Sequence, residues 1–306
     1  MNANFYIHPD TMRYDNSVLS DDEYKRQFKR FVSDLTDILK AKETFISDSN
    51  TVIISSEMYT EKIYHDMNIW QFVYEDDNRD IINFVQLILG NQAESKDFSV
   101  EEIEKLSSYN PEETECHTMT VINRLTAPYP KNKYIQFDKY DLVYNKDSWL
   151  RVRRQILGNH PMSPAEFIER CRVYFPAIEF ADYCVDSLSD HLEKSPRRIV
   201  YYLSCMNDFL CDYIGMHPTP QALNDVWGEF AGRHGFDKAG SQQGKPKAGN
   251  YTFDFNDGKQ RCCGAHFKIQ RCDDNYAGGD AGKYRARIYF AIDEGMLYVG
   301  SIGNHL

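Results

Sequence analysis

Ala265-His266-Phe267-Lys268-Ile269, Lys283-Tyr284-Arg285-Ala286-Arg287-Ile288-Tyr289-Phe290 and Tyr298-Val299-Gly300-Ser301-Ile302-Gly303-Asn304-His305-Leu306 decide how the C-terminal region folds. Each run is strand-like, and together they hold His266, Lys268, Arg285, Arg287 and His305. Residues two apart in a strand share a face, which groups His266 with Lys268 and Arg285 with Arg287. A sheet face that presents imidazoles and cations without a carboxylate of its own suits an anionic ligand such as a phosphodiester backbone. Short Arg/Lys/His alternation is also what any half-exposed antiparallel sheet shows, so a purely structural sheet stays open.

The neighbouring sequence extends the sheet. Strands are expected over Tyr251–Phe255, Gly264–Gln270, Tyr284–Ile292 and Met296–Ile302. Asn256-Asp257-Gly258 supplies a tight turn, and Asp293-Glu294-Gly295 joins the last two strands as a hairpin. Upstream, Gly235 to Gly249 is rich in Gly, Lys and Gln and reads as a linker or surface loop.

From Asp147 to about Arg233 the pattern is helical, with Ser163-Pro164-Ala165-Glu166 placing Ser at a cap and Pro at the first helical position. Ser195-Pro196 repeats the device ahead of a largely apolar helix, Arg197 to Ile214, and Thr219-Pro220 opens another. Near the N-terminus, strands at Phe5–His8 and Thr51–Ser55 flank a helix opened by the capping box Ser20-Asp21-Asp22-Glu23. Helices follow at Asp80–Leu89 and after Ser99, then β-favouring runs at Thr118–Ile122, Tyr134–Phe137 and Asp141–Tyr144, broken by Pro128 and Pro130. The fold class is therefore α+β. An acidic α/β N-terminal domain (1–145) precedes a helical region (146–234) and a C-terminal four-stranded antiparallel β domain (235–306).

Charge separates the two ends. Residues 1–115 hold 11 Lys+Arg against 24 Asp+Glu, whereas the remainder holds 24 against 22. Only the back of the chain suits nucleic acid, and the front is either a solvated acidic surface or a docking face for a protein partner. No apolar stretch approaches the roughly 18–20 residues that span a membrane, and no secretory signal is visible, so no membrane partner and a cytoplasmic location are expected. The eight cysteines are scattered and read as structural thiols. Cys262, Cys263, His266 and Cys272 are types that suit tetrahedral zinc, yet they lack paired C-x2-C knuckles; no metal and no other cofactor is expected.

Tyr284, Arg285, Arg287, Tyr289, Ile292, Asp293, Val299, Ile302, Gly303 and His305 match the pattern of a Tyr-Arg-x-Arg-Tyr-like strand, an acidic turn and a strand closing on Ile-Gly-x-His. In this the last ninety or so residues resemble the RelE/ParE type of bacterial toxin fold. The departure is at the end, where Asn304 stands between Gly303 and His305 and Leu306 replaces the usual Arg. The arrangement is also similar to the C-terminal end of uncharacterised bacterial proteins found among phage-defence genes. The resemblance implies a toxin or toxin–antitoxin effector of antiviral defence, acting as a metal-independent endoribonuclease on RNA. It also implies a protein partner, an antitoxin or a defence-complex subunit.

In that chemistry the 2′-hydroxyl attacks the adjacent phosphate, which needs a base, an acid and cations for the phosphorane. His266 or His305 would serve as base and acid, and Arg285 or Arg287 would neutralise phosphate with Lys268 as a second cation. Tyr284 or Tyr289 would stack a base. The competing class is a non-enzymatic interaction or sensor subunit of a multi-protein defence complex. A rival ribonuclease signal, Arg154 with His160, is similar to the Arg-x5-His motif of HEPN-type ribonucleases, although Gly158-Asn159 also reads as an ordinary helix stop.

Overall fold

The computed structural model describes residues 2–7, 12–17, 19–40, 49–75, 81–82, 86, 93–96, 115–120, 142–143, 146–159, 162–215, 223–242, 251–278 and 281–306. Most of the helix expected at Asp80–Leu89, the helix after Ser99, the strand at Tyr134–Phe137, the prolines at 128 and 130, Thr219-Pro220 and His160 lie outside the described residues. The chain divides into two compact units, Met1–Ile156 and Leu157–Leu306.

The first unit is built on a five-stranded sheet. Its strands are β1 (Asn2–Ile7), β2 (Ser49–Ser55), β5 (Ala93–Lys96), β6 (Glu115–Thr120) and β7 (Leu142–Val143), in the order β5-β2-β1-β6-β7. Every pairing is parallel. Parallel neighbours need a crossover, and α1 (Asp21–Lys40) supplies the one between β1 and β2. The helix opens at the capping Ser, whose hydroxyl accepts from the Glu23 amide at 3.3 Å. A short hairpin, β3 (Lys62–Tyr64) and β4 (Met67–Asn68), leads into α2 (Ile69–Glu75). Tyr24 and Phe28 of α1 meet Tyr64 and Phe72 in an aromatic cluster with ring centroids 4.9–6.0 Å apart. Helix α3 (Lys146–Asn159) carries the boundary between the units.

The second unit surrounds a mixed sheet. Its strands are β8 (Ile178–Phe180), β9 (Lys238–Gln242), β12 (Ala265–Ile269), β13 (Ala286–Asp293) and β14 (Met296–Gly303). The expected four antiparallel strands are thus corrected to five, in the order β8-β14-β13-β12-β9, with β8 parallel to β14. Strand β8 lies within the stretch read as helical, and β9 within the stretch read as a linker. The expected strand at Tyr251–Phe255 does form, as β10 (Thr252–Asp254), but it pairs with β11 (Gln260–Cys262) in a separate two-stranded hairpin.

Helices α4 (Pro164–Tyr174), α5 (Tyr183–Leu188), α6 (Pro196–Cys205) and α8 (Leu223–Arg233) complete the unit. A wider π turn (Met206–Leu210) links α6 to α7 (Cys211–Gly215). Ser163 and Glu166 form a reciprocal capping box on α4. The second expected cap works differently. Ser195 makes no cap on α6; the buried Asp273 carboxylate, distant in sequence, accepts from the amides of Arg197 at 2.7 Å and Arg198 at 3.1 Å.

Strand alternation then sorts the sheet's two faces. Phe267 and Phe290 stack at 5.1 Å and meet Trp227 of α8, at 6.4 Å and 5.2 Å respectively; Phe230 lies 5.6 Å from Phe267. This is the core face, and each of these aromatics contributes about 2–3 kcal/mol by burial. The opposite face carries His266, Lys268, Arg287 and Tyr289.

Candidate nucleic-acid interface

Register brings the polar residues into two rows. His266 stands opposite Tyr289, and Tyr289 opposite Ser301. One pair further along, Lys238 of β9, Lys268 of β12 and Arg287 of β13 are successive register partners, ending on Gly303 of β14. Like charges placed directly opposite repel. Among the described residues none of the three cations forms an ion pair, and Arg287 Nε has no hydrogen-bond partner. Burial, reinforced by the charges of Arg287 and Lys238, lowers the pKa of Lys268.

The first row is closed over. The β10–β11 hairpin lays Tyr251, Phe253, Phe255 and Cys263 on Tyr289 and Tyr298 as a small hydrophobic cluster. Gly300 allows this approach, because a Cβ there would lie 2.2 Å from the Phe253 ring. Arg261 locks the hairpin down. Its guanidinium donates to both oxygens of Asp257 at 2.9 and 2.7 Å and to Asp293 at 3.1 Å, and it lies 3.6 Å from the centroid of Tyr298. These pairs hold the Asp257 carboxyl at a pKa of about 2. Replacing Arg261 with Ala should free the hairpin from the sheet, read as faster amide exchange confined to residues 251–263. Unchanged protection there would show that apolar packing alone holds it.

His266 is 2% exposed, with its ring 4.9 Å from Tyr289. Burial first, then the charges of Lys268 and Arg287, lower its pKa to about 4, so the imidazole is neutral at neutral pH. His305 is exposed, and its Nδ1 lies 2.6 Å from the Leu306 carbonyl oxygen. A carbonyl only accepts, so Nδ1–H is the donor of this bond.

The structure thus brings His266, Lys268, Arg287 and Tyr289 together on one face, and His305 lies two residues past Gly303, the register partner of Arg287. Arg285 precedes β13 rather than sharing its alternation; it is exposed and donates to the carbonyls of Gln270 and Tyr284. Tyr284 is buried against His191, whose Nδ1 lies 3.1 Å from the phenol oxygen, and hydrogen-bonds Ser195. Tyr289 is fully buried between His266 and Tyr251, the latter at 5.3 Å. Neither tyrosine has an open face on which a base could stack, which corrects the expectation that one of them does so.

Lys238 was missed, because Lys-Ala-Gly-Ser-Gln has no large apolar residue to mark it as a strand. Only its place after Phe236, a buried aromatic, hints at the sheet. Cys262 is exposed while Cys263 lies in the hydrophobic cluster, and no group of three or more metal-ligating side chains occurs among the described residues. Arg154 is buried in α3, and its proposed partner at 160 is outside the described residues. Among the described residues no helix is long and apolar enough to cross a membrane. No family model, curated protein or solved structure matches the chain.

Proposed function

We propose that the chain is a toxin-like effector of antiviral defence whose C-terminal sheet grips RNA through its phosphates and cleaves it without a metal ion. The observation that supports this reading is the row of Lys238, Lys268 and Arg287, three cations on adjacent strands without a carboxylate among the described residues to neutralise them. His305 acts as the base for the 2′-hydroxyl, because it is the exposed imidazole at this edge and Nδ1 is already committed to the Leu306 carbonyl. The row holds the RNA by phosphate, and the imidazolium formed at His305 returns its proton to the departing 5′-oxygen. His266 is a positioning residue. Buried and neutral, it supports Tyr289 beneath the row and does not reach substrate.

Induced expression tests the reading. Wild type is expected to arrest growth with fragmented total RNA, and the purified protein to cut RNA in the presence of a chelator. His305→Ala should lower cleavage at least about 100-fold, the usual scale of a lost general base. Intact RNA and normal growth with wild type would remove the nuclease reading. The second reading, a non-enzymatic interaction subunit, is favoured by Tyr201 and Phe209, 50% and 53% exposed beside His234, whose ring lies 5.2 Å from that of Phe209. Exposed aromatics of this kind mark protein contacts more often than chance.

A further inference from the structure

Resting on that reading, we infer that the cation row is a seat for a phosphate monoester end rather than for an internal phosphodiester. Three features of the row point the same way. The first is charge. Lys238, Lys268 and Arg287 place three cations in one register line, and none is paired with a carboxylate of the described residues. An internal phosphodiester carries a single negative charge and would leave the row, two of whose three cations are half-buried, strongly positive. A terminal phosphate has its second ionisation near pH 6 and carries close to two charges at neutral pH.

The second feature is hydrogen bonding. A guanidinium presents its donors in a planar fork, and Arg287 keeps its Nε without a partner at a point shielded from solvent. A monoester offers three terminal oxygens to that fork and to the two ammonium groups, whereas a diester offers two. The third feature is shape. The row ends on the buried Gly303, where the Ser187 carbonyl oxygen of α5 fills the place a Cβ would take and closes that end. Along the strands, the neighbouring row is sealed by the fully buried Tyr251 and Tyr289. A blind-ended seat suits the end of a chain better than its middle. Neither Tyr284 nor Tyr289 has an open face, so the ligand is selected by its phosphate and not by a base stacked on either ring.

The chemistry is shared by a phosphorylated RNA end and by a free nucleotide, and the experiment separates them. Fluorescence anisotropy would compare short oligoribonucleotides with 2′-O-methyl groups, which cannot be cleaved, carrying a 5′-phosphate, a 3′-phosphate or hydroxyls at both ends. Labelled ADP is the free-nucleotide probe. At least one phosphate-ended oligoribonucleotide, or ADP, is expected to bind roughly ten- to a hundredfold tighter than the hydroxyl-ended one.

Preference for the oligoribonucleotide assigns the seat to RNA ends; preference for ADP assigns it to nucleotides. Lys238→Ala, on an exposed edge-strand residue whose removal leaves the core untouched, should lower the preference several-fold, and Arg287→Ala should abolish it. Equal binding of phosphate- and hydroxyl-ended probes, or a preference that survives in both variants, overturns the inference. The two proposals fail separately. Equal binding with RNA still cleaved removes only the phosphate-end seat, whereas end selectivity in a protein that never cleaves RNA removes only the nuclease reading.

Discussion

Gly303→Ala should unfold or severely destabilise the C-terminal unit. A Cβ on this residue would lie 2.2 Å from the carbonyl oxygen of Ser187 and 3.0 Å from its carbonyl carbon. The obstacle is backbone, so no rotamer change relieves it. Helix α5 cannot simply slide away, because the Ser187 hydroxyl accepts from the Ile302 amide at 3.1 Å and Cys184 Sγ lies 3.3 Å from the Val299 carbonyl oxygen. Overpacking against fixed backbone sits at the upper end of its usual range, about 3 kcal/mol or more. For a unit of this size that corresponds to a fall in Tm of about 6–12 °C. Gly232→Ala is the control, since nothing lies within 4 Å of a Cβ there; on a helix the change should stabilise by up to about 1 kcal/mol. A thermal melt in which Gly303→Ala matches wild type would mean that α5 and β14 are not packed as closely as the structure has them.

The second large effect is acid sensitivity. The folded-state pKa of His266, about 4, lies below the unfolded value of 6.5. Between those values the unfolded chain holds a proton that the folded one does not, so acid favours unfolding. The stabilisation is fully present above pH 6.5 and is lost as pH falls towards 4. The shift corresponds to a loss on the order of 3 kcal/mol. Urea unfolding at pH 7 and pH 4.5, compared between wild type and His266→Gln, isolates this contribution from the carboxylates common to both. Wild type should lose more stability than the variant across that interval. Equal losses would show that His266 takes up its proton without leaving the fold. A bound phosphate dianion beside Lys268 and Arg287 would offset the charges that help depress the imidazole, so ligand should soften the acid transition.

These two residues illustrate what period-two reading can and cannot deliver. The hairpin β13–β14 was legible because its turn, Glu294-Gly295, needs two positive φ angles, observed at 50° and 79°, and because β-favouring apolar runs flank it on both sides. His266, Lys268 and Arg287 followed from strand alternation. Arg285 did not, because β13 begins at Ala286 and alternation says nothing about where a strand starts. Strand β8 is only Ile178-Glu179-Phe180, too short to show any period between two helices. Strand β10 looks like any other strand in sequence, and only tertiary packing decides that it joins β11 instead of the main sheet. The cap of α6 comes from Asp273, far along the chain, where no local motif can reveal it.

The site was legible in its residue types and less so in its depth. Alternation assigns a face but not its exposure, and the hairpin that buries His266 and Tyr289 arrives from outside the sheet. A lysine on β9 completes the row although its strand has no apolar signature, because an edge strand can be held by its ladder bonds and by Gly240 fitting against Trp227 and Phe267.

The parallel pairing of β8 with β14 has a consequence in time. Ile178 waits for Leu297, so during synthesis the middle of the sheet cannot close until the segment carrying β14 has been made. Arg287 gains its Gly303 neighbour at the same moment. Contacts this distant in sequence form late and slow folding. Until then β8 has no partner in the sheet and β13 is paired on one side only, through β12, so the Arg287 end of the row stays open.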